Sequence, residues 1–107
     1  MYITVADFFE AAAKNRLTDA QIQELGAKKQ AGDSAARDAL VEGCLFVAAA
    51  RLRRVQKELH TLRAVYLLRA ETEAAVDAYR FTEEQGRFVH RLSLRLGKVL
   101  TRLIAES

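Results

Sequence analysis

The sequence predicts an all-α fold, a compact bundle of about five helices formed by residues 1–107 as a single domain. Proline is absent, only five glycines occur, and alanine and leucine are abundant. Strong helix formers therefore dominate, and the main helix breaker is missing. Half of the residues are hydrophobic and 29% are charged, which is typical of a folded chain that buries one core.

The first two helices are predicted from their capping residues. Residues 5–14 form the first helix, with Thr4 as its N-cap. Thr18 opens the second helix, because Gln21 follows it at the three-residue spacing of a capping box.

The third helix is predicted to be the longest. Gly32 ends the preceding helix, since glycine readily adopts the left-handed conformation of a helix terminus, and Asp33 or Ser34 caps the new one. Its apolar residues recur at steps of four and three, which is the period of one helix face. They are Val41, Leu45, Ala48, Leu52, Val55 and Leu59. We expect a bend or break near His60 and Thr61.

Two further helices complete the predicted bundle. The fourth has an apolar stripe of Leu62, Val65, Leu68 (or Arg69), Val76 and Tyr79. The acidic segment 81–86 ends in glycine and is interpreted as the connection to the last helix. That helix has an apolar stripe of Phe88, Leu92, Val99 and Leu103.

The last helix also has a row of cations beside its apolar stripe. The steps of four, four, three and four place these side chains on one side of the helix. They are Arg87, Arg91, Arg95, Lys98 and Arg102. Such a row suits a polyanion, but it also fits a solvated helix surface or a contact with an acidic protein. A second, weaker cluster comprises Arg51, Arg53, Arg54 and Lys57.

Several function classes are disfavoured by what the sequence lacks. The single cysteine, Cys44, excludes an intramolecular disulfide, and His60 and His90 have no companions at metal-ligand spacing. No apolar run is long enough to span a membrane, and the first residues lack the positive charge of a signal peptide. No phosphate loop or nucleophile motif occurs. We therefore expect a cytoplasmic protein that is not an enzyme and needs no metal or cofactor.

The order of these features resembles the core promoter-reading domain (region 2) of bacterial RNA polymerase sigma factors. The resemblance begins with Leu-Thr-Asp-Ala-Gln-Ile-Gln-Glu-Leu at 17–25 and a Gly-Asp turn at 32–33. It continues through the apolar run Leu-Phe-Val-Ala-Ala-Ala-Arg-Leu-Arg-Arg at 45–54. Phe81, Gly86 and Phe88 resemble the turn before the family's promoter-reading helix. Residues 17–107 would form the sigma-like body, and residues 1–16 an additional N-terminal helix.

The resemblance implies binding to core RNA polymerase and to promoter DNA. The DNA-binding residues would lie on the last helix: Arg87, Arg91, Arg95, Lys98, Thr101 and Arg102. The polymerase-binding residues would lie on the fourth helix: Leu68, Arg69, Glu71 and Glu73.

The sequence also departs from the sigma pattern. Positions at which the family has aromatic residues that capture flipped bases are occupied here by Arg91, Leu94 and Arg95. Leucine has no flat face on which a base stacks, and aromatic stacking contributes about 1–3 kcal/mol per base. The family's domain for the minus-thirty-five element is not found in these residues. We therefore expect a second DNA-binding regulatory protein as a partner, as in a split sigma factor or a phage or gene-transfer-agent type regulator.

Two alternatives stay open from the sequence. The chain could keep the sigma fold as a protein-interaction module, or polymerase decoy, without binding DNA. It could instead be a helical DNA-binding protein with no link to polymerase.

Overall fold

The computed structural model describes residues 2–84 and 86–106, and in these residues it contains five α-helices and no strand. The helices are α1 (Val5–Lys14), α2 (Asp19–Gln30), α3 (Ser34–Arg53), α4 (Leu62–Ala78) and α5 (Phe88–Glu106). A short 3-10 turn, Lys57–Leu59, lies between α3 and α4. The predicted all-α bundle is confirmed.

Local hydrogen bonds at the helix starts account for where α1, α2 and α3 begin. Thr4 and Thr18 each form a capping box, in which the side chain of the third helical residue accepts a hydrogen bond from the backbone of the cap. Asp33, rather than Ser34, caps α3 and accepts a hydrogen bond from the backbone N–H of Ala36 at 3.0 Å. Gly32 has a φ of 102°, as expected for the residue that ends a helix.

Helix α3 is the centre of the bundle and packs against the other four helices. Its buried residues include Leu40, Leu45, Ala48 and Leu52. The side chain of Phe8 from α1 is also fully buried in this shared core. The N-terminal helix is therefore packed into the same core as the rest of the chain.

Helix α3 is shorter than the periodic pattern predicts. It ends at Arg53, so Val55 and Leu59 lie outside it, and the prediction of a helix reaching His60 was wrong. The backbone N–H of Arg54 bonds to carbonyls three and two residues before it, which tightens the last turn. The His60 ring donates from Nε2 to the Val55 carbonyl at 3.1 Å, which holds together the two ends of the segment between α3 and α4.

The segment between α4 and α5 is a packed turn. Phe81 is fully buried, and its ring lies 4.8 Å from that of Tyr79 and 4.9 Å from that of Phe88, centroid to centroid. Gln23 donates a hydrogen bond from Nε2 to the Phe81 carbonyl at 2.6 Å. A Cβ at Gly26 would lie 2.2 Å from the Phe81 ring, so only glycine lets α2 approach this closely. Residues 81–84 and 86 lie between α4 and α5 as predicted, and residue 85 of that segment lies outside the described residues.

The burial of Cys44 predicts that its thiol is unreactive in the folded protein. Cys44 has no exposed surface, and burial raises the pKa of its thiol to about 12. Because the thiolate is the reactive form, the native protein should not react with a disulfide reagent at pH 8, and one equivalent should react once the chain is unfolded. Absorbance of the released thiolate, with and without guanidinium, measures both values. Full reaction of the native protein within minutes would contradict this burial.

Candidate nucleic-acid interface

The two faces of helix α5 have opposite chemical character. Its apolar residues are buried against α3 and α4: Phe88, Leu92, Leu96, Val99, Leu100 and Leu103. The predicted row of cations lies on a flank outside this buried face, with Arg87, Arg91, Lys98 and Arg102 exposed and Arg95 half-buried. The apolar face anchors the helix, so the cations are held on a rigid element.

Two of the five cations are held by carboxylates. Arg95 donates from Nε to a carboxylate oxygen of Glu71 on α4 at 2.8 Å, and it forms a salt bridge with the same group. Arg91 pairs with Glu84 and lies with its guanidinium carbon 5.8 Å from the centre of the Tyr79 ring. These pairs tie α5 to α4 and to the connecting turn. Much of the charge of both arginines is thereby neutralised.

The other three cations of the row differ in their pairing from Arg91 and Arg95. Within residues 2–84 and 86–106, no carboxylate pairs with Arg87, Lys98 or Arg102. Arg87 immediately precedes α5, where a positive charge is unfavourable beside the helix dipole, so helix stabilisation does not explain it. Thr101 is exposed beside this group, and its hydroxyl donates to the Gly97 carbonyl at 2.9 Å. We call these three residues the free cations of α5.

The residues predicted to bind polymerase do not form one surface. Leu68 is fully buried in the core, and its side chain therefore reaches no partner. Glu71 lies on the α5 side of α4, where it pairs with Arg95. Arg69 lies on the α3 side, with Glu73 at 3.9 Å and Glu42 at 2.5 Å. The structure thus separates the predicted set into the core and two opposite edges of α4.

The α3-facing edge of α4 is closed by charge pairs. Arg69 also donates to the Tyr2 hydroxyl at 2.7 Å, which ties the N-terminus to this edge. Arg37 of α3 donates to both carboxylate oxygens of Asp77, at 2.9 and 3.0 Å. The Arg37 guanidinium lowers the pKa of the Asp77 carboxyl below its usual range by these hydrogen bonds.

The outward face of α4 was not predicted from the sequence. It consists of exposed residues between the two charged edges, namely Tyr66, Leu67, Ala70 and Ala74. Leu67 is 39% exposed, and the two alanines leave room for a partner to approach the helix backbone. Leu67, Ala70 and Ala74 recur at steps of three and four, and this helical spacing is the sequence signal that marks them as one face.

The cluster predicted at the end of α3 lies on the other side of α5 from the free cations. Arg51 is half-buried and donates from Nε to the Ser93 hydroxyl of α5 at 2.9 Å. Arg53 and Arg54 are exposed beside it, together with Arg16, which follows α1 and was not singled out from the sequence. Arg16 lies in a connection without helical periodicity, so no sequence pattern marks it.

Two other classes of site are not seen in the described part of the chain. Residues 2–84 and 86–106 contain no group of three or more His, Cys, Asp and Glu side chains that would hold a metal ion. None of the described helices has both the length and the hydropathy that a membrane span requires.

Comparisons with known proteins assign no family. No family model, no curated protein and no solved structure matches this chain. The likeness to the sigma factor core domain therefore rests on the sequence features described above.

Proposed function

We propose that this protein is a sigma-like transcription subunit that binds core RNA polymerase and contacts promoter DNA through α5, together with a second DNA-binding protein. The observation that carries the proposal is the arrangement of α5. Its apolar face is buried, while Arg87, Lys98 and Arg102 are exposed and have no carboxylate partner among the described residues. Cations fixed on a rigid helix bind phosphates, which positions DNA without reading its sequence.

The DNA contact proposed here is made by fewer residues than the sequence predicts. Arg91 and Arg95 already have carboxylate partners, Glu84 and Glu71, so a phosphate would have to compete with an existing ion pair. The free cations bear most of the proposed contact, and Thr101 supplies a hydroxyl beside them.

The polymerase contact is assigned to the outward face of α4. Its edges are occupied by internal ion pairs, whereas Leu67, Ala70 and Ala74 are exposed between them. An apolar strip with charged borders is typical of a protein interface, which has an apolar centre and a polar rim. This strip lies on α4 and the free cations lie on α5, and the two surfaces meet where Leu67, Ala70 and Arg102 line one depression.

A pair of variants tests the two contacts separately. We expect the wild type to capture purified core RNA polymerase and to raise the fluorescence anisotropy of a labelled promoter duplex. Leu67→Gln should lose polymerase and keep DNA, because it places a polar group in the centre of the apolar strip without adding a carboxylate beside Arg102. The variant Arg87→Gln/Lys98→Gln/Arg102→Gln should keep polymerase and lose DNA.

Other outcomes decide against the proposal. Polymerase capture without any DNA binding by the wild type would identify a decoy that occupies polymerase. DNA binding without polymerase capture would identify a helical DNA-binding protein outside transcription initiation.

A further inference from the structure

A cleft lined by arginines lies between the end of α1, the C-terminal half of α3 and the first turns of α5. Its volume is about 480 Å³, within the usual range for small-ligand sites of roughly 300–1,000 Å³. Four arginines line it, namely Arg16, Arg51, Arg53 and Arg54, and none of the described residues that line it is a carboxylate. Phe46 and Val89 contribute apolar surface. We call this feature the arginine cleft.

Contacts with uncharged groups position three of these arginines. The guanidinium carbon of Arg16 lies 4.4 Å from the centre of the Phe46 ring, and that of Arg53 lies 4.8 Å from the centre of the Phe9 ring. Arg51 uses Nε for its bond to Ser93, which leaves its two terminal nitrogens as donors. Stacking on a ring likewise leaves the edge of a guanidinium free. The donors are thus held in place before a ligand arrives.

The arginine cleft differs from the α5 row in its charge balance. Two arginines of the row are paired with Glu71 and Glu84, whereas in the described ranges 2–84 and 86–106 no ion pair involves an arginine of the cleft. Four like charges around one cavity repel each other, and a bound anion would remove that repulsion. The dipole of α3 favours cations in its last turn, but it does not require them to line one cleft.

We propose that the arginine cleft binds a free nucleoside di- or triphosphate. The phosphate chain, with about three to four negative charges, matches four guanidinium groups in charge, and guanidinium forks bind phosphate oxygens in pairs. The flat base packs on the outer face of the Arg16 guanidinium, which itself lies over Phe46, and against Val89. The free cations of α5 take no part in this site, so nucleotide binding here is independent of the proposed function.

Isothermal titration calorimetry with separate ligands tests the proposal. We expect ATP or GTP to bind the full chain at a one-to-one ratio. Arg54→Gln, at an exposed position, should weaken binding at least tenfold. Ala50→Phe fills the cleft without changing net charge and should abolish binding. Arg63→Gln, on α4, makes the same charge change as Arg54→Gln away from the cleft and should bind as the wild type does.

Two further ligands, sodium tripolyphosphate and a single-stranded oligonucleotide, test whether the cleft prefers free nucleotides to inorganic polyphosphate or to nucleic acid. Tripolyphosphate that binds as tightly as the nucleotides would overturn the assigned nucleoside contact. An oligonucleotide that binds while free nucleotides do not would overturn the proposal in favour of nucleic acid. Unchanged nucleotide binding in both Arg54→Gln and Ala50→Phe would also overturn it. Thermal unfolding of each variant confirms that a loss of binding is not a loss of folding.

Discussion

Replacing Leu68 by alanine is expected to lower the free energy of unfolding by about 2–5 kcal/mol, the usual effect of truncating a buried leucine. Leu68 has no exposed surface and lies in the core that α4 shares with α3. The substitution removes apolar surface from that core and leaves a cavity that the rigid helices fill only in part. Urea unfolding followed by circular dichroism gives this value from the midpoint and the slope.

The adjacent residue provides a matched control. Leu67 lies on the same helix and is 39% exposed, so Leu67→Ala makes the same chemical change at the surface. Its effect should stay within about 0.5 kcal/mol, as is usual for surface substitutions. Equal changes in the free energy of unfolding at the two positions would show that Leu68 is not in the core. Leu68 would then again be a candidate for the polymerase contact.

Two predictions from the sequence disagree about where the Leu68 side chain lies. Its spacing from Val65 and Val76 places it in the apolar stripe of α4, whereas the sigma resemblance places it at the polymerase contact. The two predictions conflict, because one side chain does not both fill the core and reach a partner. The structure supports the periodicity, because Leu68 is buried and its neighbour Leu67 is exposed.

Helix starts were predictable because their signals are local. Thr18 and Gln21 cap each other across three residues, and the structure has the same pair of bonds. The end of α3 was not predictable in this way, because it depends on where the chain turns back to form α4. The pattern that includes Val55 continues in the sequence, but the helix does not.

The positions of the five cations on one side of α5 were predictable from their spacing. Which of them pair with carboxylates was not predictable. Arg95 and Glu71 are separated by 24 positions, and only the packing of α4 against α5 brings them together. Arg16 belongs to the arginine cleft for a similar reason, since α1 and α3 must pack before Arg16 meets Phe46. Long-range pairing of this kind has no signal in a single sequence.

The largest functional effect is expected when the free cations of α5 are neutralised together. At about 0.1 M monovalent salt, each phosphate contact is worth roughly eightfold in affinity, so three contacts are worth roughly 500-fold. Arg87→Gln/Lys98→Gln/Arg102→Gln should lose an affinity of that order for duplex DNA. The three side chains are exposed, and no carboxylate in the described part of the chain pairs with them, so the fold should be unaffected.

The salt dependence counts the contacts directly, because each neutralised phosphate adds about −0.9 to the slope of log K against log salt. Three contacts predict a slope of about −2.7 for the wild type, whereas all five cations would give about −4.5. The triple variant should have a slope near zero. A wild-type slope close to the larger value would mean that Arg91 and Arg95 leave Glu84 and Glu71 to bind DNA.

A variant with the same change in net charge separates a local contact from a general effect of charge. Lys14, Lys28 and Lys29 lie on α1 and α2, whereas α5 packs against α3 and α4. Replacing these three by glutamine should leave the slope at about −2.7, because no phosphate contact is removed. If it lowers the slope as much as the α5 variant does, DNA is attracted by the overall charge of the protein, and α5 is not the interface.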